Sequence, residues 1–377
     1  MSFFVKTNIS ECGGFEKFLS EWRIGESDLI LTNEYVLTPQ LDGKPSPCDV
    51  LYQEKYGGGE PSDEMVDAVL EAIESKKKQN GKDYERVVAI GGGTVIDVAK
   101  LSVFGEGLRC QEIFEKGATL PRKRRLLVIP TTCGTGSEVT NISIVAFKKK
   151  QTKMGLAIPA LFPDEAVLIG DMLRTLPYEV FATSSVDALI HAMESHVSPK
   201  ADVFTRTLGE AATRRILKGY IDLADASGSK AKTLPRELQT FLTASTMAGI
   251  AFGNAGVGAV HALSYPLGAI YHVPHGKANA LVFKAVFEAY QRLGADLSPL
   301  EEILSDILNC PRPAVWEKFF ELVNRILAPQ PISELGVDEN KCAEMAQSVI
   351  QGQQRLLNNN PIPLSQEEIE TIYRNCL

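Results

Sequence analysis

Arg86 to Lys100 reads RVVAIGGGTVIDVAK, and the fold follows from how that stretch is parsed. Arg86 to Ile90 (RVVAI) is a short apolar run without polar alternation, as in a strand buried on both faces. Gly91, Gly92 and Gly93 then turn the chain, and Thr94 to Phe104 has helical spacing. Three further strands flank this unit: Asp28 to Thr32 (DLILT), Asp49 to Gln53 (DVLYQ) and Leu126 to Ile129 (LLVI). Between the second strand and RVVAI, Ser62 is placed to cap a helix carrying Met65, Val66, Val69, Leu70 and Ile73 on one face. Strand, crossover helix and strand repeat, which predicts a Rossmann-like parallel sheet covered by helices.

Beyond Pro177 the pattern becomes helical throughout. Amphipathic stretches lie near residues 203–222, 236–252, 277–293, 312–327, 338–356 and 365–376. The chain is therefore read as an α/β domain over residues 1–177 and an all-α domain over residues 178–377, with no internal repeat of solenoid length. A length of 377 residues suits two domains, and 44% hydrophobic with 23% charged residues suits a soluble protein. The start MSFFVKTNISE lacks the layout of a secretory signal, and no apolar run is long enough to span a bilayer. Seven cysteines, Cys12, Cys48, Cys110, Cys133, Cys310, Cys342 and Cys376, form no CxxC pair; they read as reduced thiols in a cytoplasmic protein. A net charge of −8 argues against nucleic acid. The basic runs at 76–78, 122–125 and 148–150 read as solvated faces, so the expected partner is a small molecule, with neither nucleic acid nor membrane.

Two loops are candidates for holding anions, with a plain tight turn and a Thr-rich capping turn as the respective alternatives. After RVVAI, the glycines let backbone approach a ligand closely, and the following helix N-terminus offers free N–H groups and partial positive charge to a pyrophosphate. Ile96 stands where GxGxxG would have its third glycine, so the turn suits either a phosphate or a plain tight bend. After the strand ending at Ile129 comes PTTCGTGSEVT, dense in hydroxyls and glycines. Ligands of open α/β sheets gather at that carboxyl edge.

The strongest chemical signal lies in the second half. Asp187 and His191, in SSVDALIHAMESHVS, are one helical turn apart on a helix flanked by Val186, Leu189, Ile190 and Met193. A buried carboxylate needs a partner, and a metal ion is one that also uses the histidine. His261 and His275 bracket AVHALSYPLGAIYHVPHG, where Pro266 and Pro274 are expected to interrupt helical continuity. Of the five histidines, only His196 and His272 are left over. Three imidazoles and a carboxylate form a donor set that Fe(II) or Zn(II) accepts.

Taken together, GGGTVIDVAK, PTTCGTGSEVTN, DALIHAMESHVS and GNAGVGAVHALSYPLGAIYHVPHGKANA resemble the iron-containing, group III alcohol dehydrogenase family, in order and over essentially the whole chain. Within it, ILTNEY, QEKYGGGEPSDEM and GQQRLLNNN are similar to the branch acting on 4-hydroxybutyrate. The resemblance implies a dehydroquinate synthase-like architecture, NAD as cofactor and Fe2+ (or Zn2+) in the cleft between the domains. It implies Asp187, His191, His261 and His275 as metal ligands. It also implies Gly92, Gly93, Thr94 and Asp97 as the pyrophosphate turn, Thr131, Thr132 and Thr135 as a cofactor loop, and Lys153 near the nicotinamide ribose. A homo-oligomer is expected.

The chain departs from the family's usual pattern at two places. Many members carry an aspartate after the first core strand for the adenosine ribose; here Asn33 and Glu34 follow Thr32. Asn33 can still bond the ribose, and Glu34 would repel a 2′-phosphate, which favours NAD over NADP. Near the metal, the usual second histidine and asparagine are replaced by Tyr265 and His272, the expected proton-relay or substrate-binding groups. Lys277 and Arg355 are further candidates for holding a substrate carboxylate. The expected reaction is hydride transfer between NAD(H) and a small alcohol or aldehyde, with 4-hydroxybutyrate and succinate semialdehyde the leading pair. Uncharged short alcohols or diols are the alternative, and a non-catalytic cofactor-binding protein is the third reading.

Overall fold

The computed structural model describes residues 3–105, 107–150, 152–227 and 233–377. The described residues divide into two compact units, Val5–Leu176 and Pro177–Leu377, the latter joined by Phe3 and Phe4.

The first unit contains β1 (Asn8–Glu11), α1 (Phe15–Glu21), β2 (Asp28–Thr32), α2 (Glu34–Leu41), β3 (Asp49–Tyr52), α3 (Asp63–Asn80), β4 (Arg86–Gly91), α4 (Gly93–Leu101), α5 (Cys110–Lys116), β5 (Arg125–Pro130), β6 (Ile142–Phe147), β7 (Thr152–Ala157) and β8 (Glu165–Leu168). Six strands form one sheet in the order β1-β8-β5-β4-β2-β3, and every pairing in it is parallel. The strands expected from sequence are β2, β3, β4 and β5. All of β2 is buried, as are five consecutive residues of β4 and of β5, which is why these strands read as continuous apolar runs. Ser62 caps α3 by accepting from the Met65 backbone N–H, and Met65, Val66, Val69 and Ile73 are buried beneath that helix.

Four strands lacked a sequence signal. β1 is a polar edge strand, NISE, with no fully buried residue. β8 is a four-residue segment opening on a glutamate. β6 and β7 form a separate antiparallel pair whose second strand has no buried residue. Strand order then positions ligands. From β2 the chain passes outward to β3, then returns across β2 to β4 and continues to β5. The carboxyl ends of β2 and β4 thus flank a topological switch point, where open α/β sheets leave a crevice.

The second unit is helical: α6 (Tyr178–Val197), α7 (Val203–Ser227), α8 (Leu238–Ala255), α9 (Ala259–Tyr271), α10 (His275–Arg292), α11 (Ser298–Leu308), α12 (Val315–Ile326), α13 (Glu339–Gly352), α14 (Gln354–Leu357) and α15 (Gln366–Arg374). Nearly every residue of α6 between Phe181 and His196 is buried. A helix buried all round is the centre of its domain, so its polar residues must find partners there. Helix α9 corrects one expectation, because Pro266 lies inside it and only Pro274 marks a break, as the N-cap of α10. Proline costs α9 one backbone hydrogen bond, and the buried Tyr373 hydroxyl donates to the Leu263 carbonyl in that turn at 2.6 Å. Among the described residues no helix is long and apolar enough to cross a membrane.

Candidate metal centre

Asp187 and His191 project from one face of α6, His261 stands in the first turn of α9, and His275 opens α10. One potential ligand atom from each lies within 4.8 Å of all the others. A tetrahedral ion with bonds near 2.1 Å would set its ligands about 3.4 Å apart, so the four side chains need only shift modestly, some closing and the His191–His261 pair opening, to hold it. His261 Nε2 is 3.8 Å and His275 Nε2 3.7 Å from Asp187 Oδ1. Asp187, His191 and His261 are buried, whereas the His275 side chain is 35% exposed. His275 is thus the ligand most open to solvent.

Two polar side chains that sequence reasoning did not single out organise the ligands. Glu194 is buried on α6; it accepts from the Val260 backbone N–H at 2.7 Å and from His261 Nδ1 at 2.6 Å. That second bond places the imidazole proton on Nδ1 and turns the Nε2 lone pair toward the cluster. Gly258 permits the approach, since a Cβ there would come within 2.7 Å of Asn360 Oδ1 and 3.3 Å of Glu194 Oε1. Asn279, one turn after His275, donates to Asp187 Oδ1 at 2.7 Å, and its Nδ2 lies 3.2 Å from both His261 Nε2 and His275 Nε2. Its buried Oδ1 has no hydrogen-bond partner.

Electrostatics agree with a cation-binding role. Burial pushes the Asp187 carboxyl upward, but His191, His275, His261 and the Asn279 amide outweigh it and hold it below the usual carboxylate range. For His261, burial lowers the imidazole pKa, yet the Glu194 hydrogen bond and the charges of Glu194 and Asp187 raise it on balance. A buried anion among three imidazoles whose nitrogens face one another, His191 Nε2 and His261 Nε2 only 2.9 Å apart, is a donor set that fits a divalent ion. Gly276 sets a dimension of the site: a Cβ there would lie 2.8 Å from the Thr183 carbonyl oxygen of α6. Of the two remaining histidines, His196 is buried outside this cluster.

Tyr265 and His272 part company. Tyr265 is half-buried one helical turn after His261 on α9, whereas His272 is exposed and forms the left-handed C-cap of that helix with φ 55°. The structure thus gives His272 a turn-forming role. Lys277 is exposed in the first turn of α10.

In the α/β unit, the two loops expected to bind cofactor are neighbours. Gly91 and Pro130 pair across β4 and β5, and Thr131 N–H donates to the Gly91 carbonyl at 3.1 Å. Gly92 N-caps α4. A Cβ on Gly92 would meet Thr132 at 3.2 Å, and one on Gly93 would meet Thr135 at 2.9 Å. Thr94 Oγ1 donates to the Gly59 carbonyl at 3.2 Å, and Lys153 pairs with Glu60, the residue after Gly59. Asp97 faces the neighbouring loop: its oxygens accept from Ser137 Oγ at 2.5 Å and Ile144 N–H at 3.0 Å. The fully buried Lys100 donates to Ser137 Oγ, Thr140 Oγ1 and the Ile142 carbonyl. Asp97 and Lys100 therefore hold the two loops together. If this turn takes the cofactor's pyrophosphate, as the resemblance implies, Gly93→Val is expected to raise the Kd for NADH at least about tenfold, because the side chain must displace Thr135 or fill the turn. Metal content should not change, and unaltered NADH binding in a fluorescence titration would reassign the glycines to a plain turn.

Comparison with known proteins adds the following. The family model described as Fe-containing alcohol dehydrogenase family, C-terminal, matches residues 181–377, and the one described as iron-containing alcohol dehydrogenase matches residues 28–169. The 4-hydroxybutyrate dehydrogenase of Clostridium kluyveri is 41% identical over 361 residues, covering 95% of this chain and 95% of that protein. The long-chain-alcohol dehydrogenase 1 of Geobacillus thermodenitrificans is 30% identical over 373 residues, covering 93% and 90%. The sulfoacetaldehyde reductase of Bifidobacterium kashiwanohense, solved in complex with NAD+, superposes with a TM-score of 0.83 over 99% of this chain and 98% of its own. At 22% identity that likeness speaks for the fold alone.

Proposed function

We propose that this chain, which belongs to the iron-containing alcohol dehydrogenase family, moves hydride between NAD(H) and the alcohol carbon of 4-hydroxybutyrate, with succinate semialdehyde as the oxidised partner. It is an NAD-dependent, iron-type alcohol oxidoreductase. One observation carries the substrate: the likeness to a protein named for 4-hydroxybutyrate runs through 95% of both chains at 41% identity. In the reductive direction, aldehyde, NADH and one proton give alcohol and NAD+. A divalent ion, proposed to be Fe(II), held by Asp187, His191, His261 and His275, supplies Lewis acidity toward the substrate oxygen.

The chain's own groups do the rest. Glu194 keeps His261 in the tautomer that offers Nε2, and Asn279 fixes the Asp187 carboxylate from the opposite helix. In the α/β unit, Gly92, Gly93 and Thr94 at the N-terminus of α4 are proposed to take the pyrophosphate, with Thr131, Thr132, Thr135 and Lys153 on its ribose side. Asn33 belongs to the adenosine end. Tyr265 is proposed to give the alkoxide its proton or to hold the substrate carboxylate. His272 is kept as a weaker candidate for the same task, given its exposed cap position. A cytoplasmic homo-oligomer belongs to the same proposal; seven free thiols support a reducing compartment, and light scattering reads the assembly.

The discriminating assay is metal-dependent NADH oxidation with succinate semialdehyde and butyraldehyde. A site that binds the carboxylate gains about 1.5–3 kcal/mol from a charged hydrogen bond, so kcat/KM should favour the semialdehyde by about tenfold or more. Equal values would move the assignment to uncharged short alcohols or diols. Tyr265→Phe is expected to lower activity on the semialdehyde more than on butyraldehyde; equal losses on both would mark Tyr265 as the proton donor instead.

A further inference from the structure

We propose that Glu54, in the turn after β3, reads the adenosine ribose and makes the chain selective for NAD over NADP. This rests on the NAD reading above and names the residue behind it. Thr32 and Tyr52 are register partners at the ends of β2 and β3, so Asn33 and Glu54 emerge side by side at the sheet's carboxyl edge, beside the switch point. Asn33 is buried, and its amide N–H groups are spent on its neighbours, Gln53 Oε1 at 3.1 Å and Glu54 Oε2 at 2.9 Å. The Glu34 backbone N–H donates to Glu54 Oε1 at 2.7 Å. An exposed glutamate, normally free to swing, is thus pinned by two donors. Each donor engages one oxygen, which leaves the outer lone pairs to accept from a vicinal diol.

The charges at this edge also single out Glu54. Glu34 is paired with Lys55 at 3.3 Å, which offsets its own negative charge. For Glu54 no cation lies within ion-pair distance among the described residues. Its field is felt nearby: burial and then the charge of Glu54 push the Tyr35 phenol upward. Tyr35 is 71% exposed in the first turn of α2, a large ring at the same edge. A ribose 2′-hydroxyl would donate to the held carboxylate, whereas a 2′-phosphate would bring a second anion against it. Asn33 then acts as the positioning residue, holding the acid in place of supplying one.

The test compares kcat/KM for NADH and NADPH, at saturating aldehyde, in the metal-loaded parent, Glu54→Gln and Glu34→Gln. Glu54→Gln keeps the size but removes the charge, and should lower efficiency with NADH while raising the NADPH to NADH ratio at least about tenfold. Glu34→Gln should leave that ratio within about twofold, its charge being already paired and solvent-screened. A ratio that moves with Glu34 and not Glu54, or with neither, overturns the assignment. Metal content and kcat at saturating NADH report whether each variant is folded. A parent that already prefers NADPH would instead defeat the NAD reading itself, an outcome distinct from an unmoved ratio in an NADH-using enzyme.

Discussion

His261→Ala is expected to remove bound metal and turnover together. His261 is buried, contributes Nε2 to the cluster and links it through Nδ1 to Glu194. Even a change in the group supporting a metal-binding histidine costs about 10–100-fold in affinity or activity, so loss of the imidazole itself should exceed about a hundredfold. The variant should also lose stability, because Glu194 stays buried with only the Val260 N–H to satisfy it, at a cost of about 1–3 kcal/mol. His275→Ala separates the two effects: that side chain is 35% exposed, so metal should be lost with a smaller fall in Tm. Metal-to-protein ratios, thermal melts and NADH titration read the outcomes. Retention of stoichiometric iron or zinc by either variant would sink the ligand assignment, and NADH binding should survive in both.

Glu194→Gln is the second large effect expected. A carboxylate accepts from both the Val260 N–H and His261 Nδ1; a glutamine has one accepting oxygen and must face the other partner with its NH2. If the amide donates to Nδ1, the imidazole proton moves to Nε2 and points into the cluster, where it blocks coordination. The metal Kd should rise about 10–100-fold, and added Fe(II) or Zn(II) should restore part of the turnover. A variant with parental metal affinity would show that Glu194 serves only to pack α6 against α9. Rescue by excess metal distinguishes a positioning role from simple loss of fold, which added ion does not cure.

The parts legible in the sequence are those where local pattern and tertiary environment agree. β2, β4 and β5 are buried on both faces and spell that in uninterrupted Val, Ile and Leu. The α3 cap needed only Ser62 and the spacing behind it. Asp187 and His191 stood out because both are costly on so apolar a helix. Glu194, on the same helix, has no such isolation: with Ser195 and His196 beside it, it reads as the helix's polar end, and only the approach of α9 over Gly258 shows that it is buried and bonded. Asn279 is similarly silent, since an amide one turn after His275 acquires meaning only when α6 brings Asp187 to it. For the edge strands the reason is different. β1 and β7 have no fully buried residue, so no apolar pattern was required of them. Pro266 misled because the rule that proline ends a helix is statistical, and Tyr373 supplies a hydrogen bond within that turn. Glu54 was hidden for the same reason as Glu194: its significance lies in a side-by-side strand register, which a linear reading does not display.

Gly276 has a consequence for which ions the protein accepts. Helix α10 lies against the Thr183 carbonyl of α6 with no room for a methyl group, and those two helices carry His275 and Asp187, whose nearest donor atoms are 3.7 Å apart. The gap across which an ion would bridge is therefore limited in part by a helix spacing that this backbone contact sets. Enlarging one residue that touches no ion would splay this bite, favouring larger, more loosely held cations over smaller ones. Ion choice in this scaffold can drift through its packing while all four donors remain unchanged.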